Sequence, residues 1–213
     1  MPSLLTIAFA AAGLLLGLAA DRLATRWPPH DEEELPPGRR IGWRTIVTGV
    51  TGAVALGVLP QRFDGDPLAL LVFGAWVCTL IVGLATDLDQ RLLPNELTLP
   101  VIPLALLYAL SGLNPLVAGE LVLALIAASV IPAVLYLPSL LFGSEAFGLG
   151  DVKLLMGIGL MLGLVRAVGG IASGLLVSGV VLLVLLATRR IGRRTYVPFG
   201  PFLIFGALSG ILR

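Results

Sequence analysis

The sequence predicts an all-α fold: a polytopic transmembrane bundle of about eight helices, within a range of six to eight, forming a single membrane domain over residues 1–213. Three observations predict it. Hydrophobic residues make up 57% of the chain, charged residues 13%, and the mean hydropathy is +1.01, more apolar side chain than a soluble domain of this size can cover. The apolar runs are continuous, rich in Leu, Ala, Val and Gly, and close to the roughly 20 residues that cross about 30 Å of hydrocarbon at about 1.5 Å per residue. A closed barrel would instead show short segments of alternating polarity. Finally, basic residues gather in alternate loops, as they do when the cytoplasmic side retains them.

The elements follow in order. The run 3–20 lacks a basic leader region and passes directly into Asp21 and Arg22, so it reads as a retained first span. Residues 21–42 contain Pro28-Pro29, Pro36-Pro37 and the acidic run Asp31-Glu32-Glu33-Glu34, an irregular cytoplasmic loop too short for a folded domain. Spans are expected at 43–60 and 68–86, the latter closed by Asp87-Leu88-Asp89. Pro94 and Asn95 end a turn and cap the next helix, over 97–113. The run 116–142 is longer than a crossing needs and contains Pro132 and Pro138, which implies a kink, a tilt or a projection beyond the bilayer. Gly148-Leu149-Gly150-Asp151 opens a span at 152–167. Arg166 and Gly169-Gly170 divide it from one at 168–187. Pro198-Phe199-Gly200-Pro201 introduces the last, 198–212, with proline tolerated in the first turn and glycine permitting close packing.

With the N-terminus outside, eleven of the 14 basic residues fall on the inner face: Arg22, Arg26, Arg39, Arg40, Arg44, Arg91, Lys153, Arg189, Arg190, Arg193 and Arg194. Arg62, Arg166 and Arg213 remain outside. The net charge of +1 gives no global basic bias toward nucleic acid. Membrane lipids are the expected partner of the 189–194 arginines. The single cysteine, Cys78, sits in an apolar run, and His30 is the only histidine, so neither a disulfide, a zinc pair nor a histidine-based triad is expected, and no metal or cofactor.

In this orientation the two aspartate motifs lie on the same cytoplasmic face. Ionisable residues at a membrane are costly and tend to be functional or paired. Two carboxylates suggest peptide hydrolysis, with one ionised Asp acting as base on a water while a protonated partner donates to the carbonyl oxygen; a close pair shares one proton. Gly148 and Gly150 would let a substrate strand approach and would permit turn conformations. Blander readings exist for each motif alone. Asp151 could simply complement a helix N-terminus, and Asp87 and Asp89 could be ordinary interfacial acids.

The conjunction is more specific. The strings Thr86-Asp87-Leu88-Asp89-Gln90-Arg91-Leu92-Leu93-Pro94-Asn95-Glu96-Leu97-Thr98, Phe147-Gly148-Leu149-Gly150-Asp151-Val152-Lys153-Leu154 and Val197-Pro198-Phe199-Gly200-Pro201-Phe202 resemble the type IV prepilin peptidases at three places in order. The resemblance covers most of residues 43–212. It implies a membrane aspartyl peptidase that removes the short basic leader of type IV prepilin or pseudopilin-like precursors at the cytoplasmic face of a prokaryotic inner membrane, with Asp87 and Asp151 catalytic. It also places Pro198 and Gly200 near the cleft. Larger members of that family insert a domain with paired C-x-x-C motifs after the first span and use it in N-methylation. Residues 21–42 hold no cysteine, so a peptidase without methyltransfer is expected.

Asp89 is expected to tune the site and Lys153 to anchor the inner face or support the pair electrostatically. Glu120 would reach the outer interface, and the acidic run 31–34 is a solvated loop or an attractor for a basic leader. Two other classes remain open: a small proton- or cation-coupled secondary transporter, and a catalytically inactive membrane subunit of a pilus or secretion system.

Overall fold

A computed structural model describes residues 3–29, 41–142, 148–190 and 198–213. The described residues are helical with connecting turns and contain no strand. They form two compact units, one running up to Leu97 and the other from Thr98 through Ile211 with Arg213.

The first unit holds α1 (Leu4–Ala24), α2 (Trp43–Arg62) and α3 (Pro67–Gln90). Ser3 caps α1 by accepting from Thr6 N at 3.1 Å, and Asp66 caps α3 by accepting from Ala69 N at 2.9 Å, with Pro67 in the first turn. Gly65, at φ 79°, supplies the left-handed residue of the tight turn between α2 and α3. α1 and α2 cross with their backbones in contact: a Cβ on Gly17 would lie 2.7 Å from Gly49 Cα, and one on Gly13 would overlap the carbonyl of Gly52. Without a hydrophobic force between helices in lipid, close backbone approach is what gives such a crossing its van der Waals energy. Phe73, Val77 and Ile81 of α3 form the buried core, and Phe63 stacks on Phe73 with ring centres 4.6 Å apart.

Short α4 (Asn95–Thr98) leads to the second unit's α5 (Val101–Leu110), α6 (Leu121–Phe142), α7 (Leu149–Ala187) and α8 (Gly200–Leu212). As a straight helix, the 39 residues of α7 would extend about 58 Å, close to twice the hydrocarbon thickness. The helix breaks at Gly163, where φ 70° and ψ 175° are non-helical. The buried Asn114 side chain serves this break, donating from Nδ2 to Met161 O at 3.0 Å while its Oδ1 accepts from Leu116 N at 2.9 Å. Interrupted helices at membrane depth persist where side chains satisfy the freed backbone in this way. The Gly163 conformation is essentially open to glycine alone. Gly163→Ala is therefore expected to lower stability by about 2 kcal/mol, read as a fall in the unfolding midpoint in detergent.

The break corrects the expected boundary at Arg166 and Gly169-Gly170. Those glycines lie inside the helix, and Gly170 and Gly174 instead let α7 approach α8, with Cβ positions 3.4 Å from Gly210 Cα and 3.5 Å from Gly206 Cα. The span expected at 116–142 begins later, at Leu121, and the one at 97–113 ends at Leu110. The turn between them uses Gly112 and Gly119 at φ 72° and 83°. The boundary expected at 114–115 lies inside this turn, and its apolar residues Leu113, Leu116, Val117 and Ala118 extend both expected spans into it.

Among the described residues, four helices are long and apolar enough to cross a membrane: α1, α2, α3 and α7. Asn95–Leu110, Leu121–Leu137 and Gly200–Leu212 are shorter apolar stretches. Leu15, Leu71, Val122 and Leu183 are each about two-thirds exposed, on α1, α3, α6 and α7. Apolar surface so distributed needs lipid to cover it, and the chain is a membrane protein.

Candidate functional site

The two aspartates singled out by the sequence belong to different units. Asp87 lies in the last turn of α3 and is 5% exposed. Arg91, at φ 56°, ends this helix in the left-handed conformation and donates its backbone N–H to Asp87 O at 3.0 Å.

Around that turn the first unit gathers polar groups from all three helices. The Asp89 carboxylate pairs with Arg44 in the first turn of α2. The Gln90 amide donates to Ala24 O and Pro28 O, both at 2.9 Å. Asp21, in the last turn of α1 and only 2% exposed, accepts from Thr45 Oγ1 at 2.7 Å. Thr45 Oγ1 in turn accepts from Gly42 N at 3.3 Å, so one hydroxyl both caps α2 and holds α1. Pro94 is buried and the exposed Asn95 is the first residue of the four-residue α4; the helix expected from residue 97 instead begins at Val101, with Pro100 rather than Asn95 at its cap position.

Asp151 is in the first turn of α7, in the second unit. Its Oδ2 accepts from Gly148 N at 3.0 Å, a reach back to the N-cap that satisfies a backbone donor and places negative charge where the helix dipole favours it. The side chain remains half-buried. The backbone of Gly148 is extended, at φ −85° and ψ 164°, a conformation any residue adopts. Turn geometry therefore does not require this glycine. Its nearest neighbour, Asp151 Oδ2, would be 3.8 Å from an added Cβ, so the residue leaves room beside the carboxylate. Gly150 and Lys153 are half-buried on the same two turns. Pro198 is half-buried and Gly200 buried at the start of α8. His30, the 31–34 acids, Arg39, Arg40, Phe147, Arg193, Arg194 and Val197 lie outside the described residues.

Asp21, Thr45 and Gln90 were not anticipated as site residues, and Arg44 only as an inner-face charge. A buried acid followed at once by arginine at a span end was the available signal for Asp21. Among the described residues no group of three or more His, Cys, Asp or Glu could hold a metal ion.

Comparison with known proteins settles the family. The model of the type IV leader peptidase family matches residues 71–189, which include both aspartate motifs. The chain belongs to this family. It is 34% identical over 175 residues to a prepilin leader peptidase/N-methyltransferase of Burkholderia pseudomallei, an alignment covering 77% of this chain and 52% of that protein. A protein of the same name from Xanthomonas campestris is 35% identical, with 62% and 46% covered, and one from Pseudomonas aeruginosa is 30% identical, with 81% and 59% covered. The chain spans about half the length of the curated relatives it matches. No solved structure matches it.

Proposed function

We propose that this leader peptidase family member is a membrane aspartyl endopeptidase that cleaves the short basic leader from type IV prepilin-like precursors. Asp87 and Asp151 are its catalytic pair. The observation that carries the reading is the buried Asp87 carboxylate, in a turn braced from two neighbouring helices, within the segment matched by the family. Asp89 is the less suited of the two neighbouring acids because Arg44 already engages it.

In the reaction, one carboxylate removes a proton from water, the oxygen attacks the scissile carbonyl, and the protonated partner donates to the carbonyl oxygen as it gains charge. Collapse of the tetrahedral diol breaks the C–N bond: the carboxyl that took the water proton passes it to the leaving amine, while the other carboxylate takes up a proton from a diol hydroxyl. The pair thus returns to its starting protonation as the carboxylic acid and amine leave. The room beside Gly148 admits an extended substrate backbone, and Lys153 supplies a cation two residues beyond Asp151. Pro94 precedes α4, which Asn95 begins just after the Asp87 motif, and Pro198-Phe199 leads into α8 at Gly200.

The proposed topology has eight spans, counting α7 as two across Gly163, with the N-terminus outside and the aspartates at the cytoplasmic face of a prokaryotic inner membrane. They work as one membrane domain. The precursor's apolar N-terminal helix enters the bilayer beside the enzyme, and the basic leader stays in the cytoplasm. The curated relatives also carry N-methyltransferase in their names. Here only residues 25–42 join α1 to α2, and the one cysteine is Cys78 within α3. Methyl transfer is therefore not part of the proposed activity.

The test incubates the purified protein in detergent with a pilin-like precursor bearing a basic leader, with and without a labelled methyl donor. Cleavage at the leader junction with no label in the product is expected. An intact precursor would refute the peptidase reading, and a labelled product would refute the restriction to cleavage.

A further inference from the structure

The last carbonyls of a helix have no intrahelical donor and need partners from elsewhere. At the end of α1, Arg26 and Trp27 N–H groups both return to Leu23 O, at 2.8 and 2.9 Å. Ala24 O is met by Gln90. That primary amide carries two N–H groups, and at 2.9 Å to Ala24 O and 2.9 Å to Pro28 O it can use both on α1 and the chain leaving it.

The bonds fix a register. α1 packs antiparallel to α2, since Gly13 meets Gly52 while Gly17 meets Thr48, and the tight turn at 63–66 makes α3 antiparallel to α2 as well. α1 and α3 are therefore parallel, tied together at Ala24 and Gln90. Asp87 lies three residues before Gln90, in a terminal turn that closes on its own carbonyl. Helix ends fray unless tied down. Arg44 secures the neighbouring residue, Asp89, to α2.

We propose that Gln90 is a positioning residue: its two hydrogen bonds to the end of α1 hold the last turn of α3 in place and thereby set the position of the Asp87 carboxylate. This rests on the reading of Asp87 as catalytic. Gln90 itself acts through the backbone of α3 and touches no reacting atom.

The test compares wild type, Gln90→Met, Gln90→Lys and Asp87→Asn, purified in detergent, for precursor cleavage and unfolding midpoint. Methionine keeps the length of the side chain and its packing but donates nothing, whereas the lysine ammonium can donate to both carbonyls. Misplacing a catalytic group by a fraction of an ångström to about 1 Å costs roughly ten- to a hundredfold in rate. The expected result is a kcat lowered by about tenfold in Gln90→Met, with KM within about twofold of wild type. The unfolding midpoint stays unchanged, and Gln90→Lys recovers part of the loss. A wild-type kcat in Gln90→Met overturns the proposal. So does a raised KM at constant kcat, a midpoint that falls in step with activity, or a lysine variant no better than methionine. Failure of the catalytic reading would show separately, as wild-type cleavage by Asp87→Asn.

Discussion

Replacing either Asp87 or Asp151 with asparagine is expected to reduce kcat for precursor cleavage by about a thousandfold or more, at the upper part of the range for loss of a general acid or base. The double variant should be scarcely worse than either single one, because two groups that act on one water as a unit do not contribute additively. Folding should be retained. Asparagine has the volume of aspartate, and at position 151 its amide oxygen can still accept from Gly148 N, the bond that ties this side chain to its own helix start. Asp89→Asn weakens the pairing with Arg44 and should cost far less than Asp87→Asn. The measurement is single-turnover cleavage at matched amounts of folded protein. Undiminished cutting by both single variants, or a loss concentrated at Asp89, would refute the assignment of the pair.

The sequence made some of this architecture readable because lipid imposes length and composition on whatever crosses it. Runs at 3–20, 43–60 and 68–86 correspond to Leu4–Ala24, Trp43–Arg62 and Pro67–Gln90, with ends a few residues apart where caps and polar last turns extend the helices beyond the apolar run. In the second half, composition carried less information. The turn at 111–120 was expected only at 114–115, because Leu113, Leu116, Val117 and Ala118 lengthened the apolar runs on either side, and the break at Gly163 is one glycine among many, distinguished only by a left-handed φ and by the Asn114 side chain that meets it. Both aspartate motifs were legible, being charge at the edge of apolar runs. Their surroundings were not. Gln90 reaches Ala24 across 66 positions and Arg44 reaches Asp89 across 45, and a single chain read in order does not disclose which helix ends meet. Glycine posed the same difficulty: Gly169 and Gly170 looked like a turn, whereas Gly170 is a packing residue.

That ambiguity among glycines yields a prediction of large effect. Gly13→Ala and Gly159→Ala are each expected to destabilise the protein by about 3 kcal/mol, the upper range for forcing extra volume into a packed interface. The reason is that the obstacle is backbone and cannot rotate away. A Cβ on Gly159 would stand 2.6 Å from Ala128 Cα, and one on Gly13 would overlap Gly52 O and lie 3.1 Å from Ala53 N. Gly74→Ala and Gly179→Ala, on α3 and α7, make the control, since nothing lies within 4 Å of either added Cβ. There the methyl only removes the helix cost of glycine, so stability should rise by about 0.5–1 kcal/mol. Unfolding midpoints in one detergent would show whether the four variants separate by the space available to each Cβ. A uniform response would mean that the close crossings are not what holds the helices. Activity should follow the same division in the first unit. The α1–α2 crossing that Gly13 permits also seats Thr45 against Asp21 and brings Arg44 to Asp89, so prising it open would loosen the turn that carries Asp87, while Gly74→Ala leaves that turn intact.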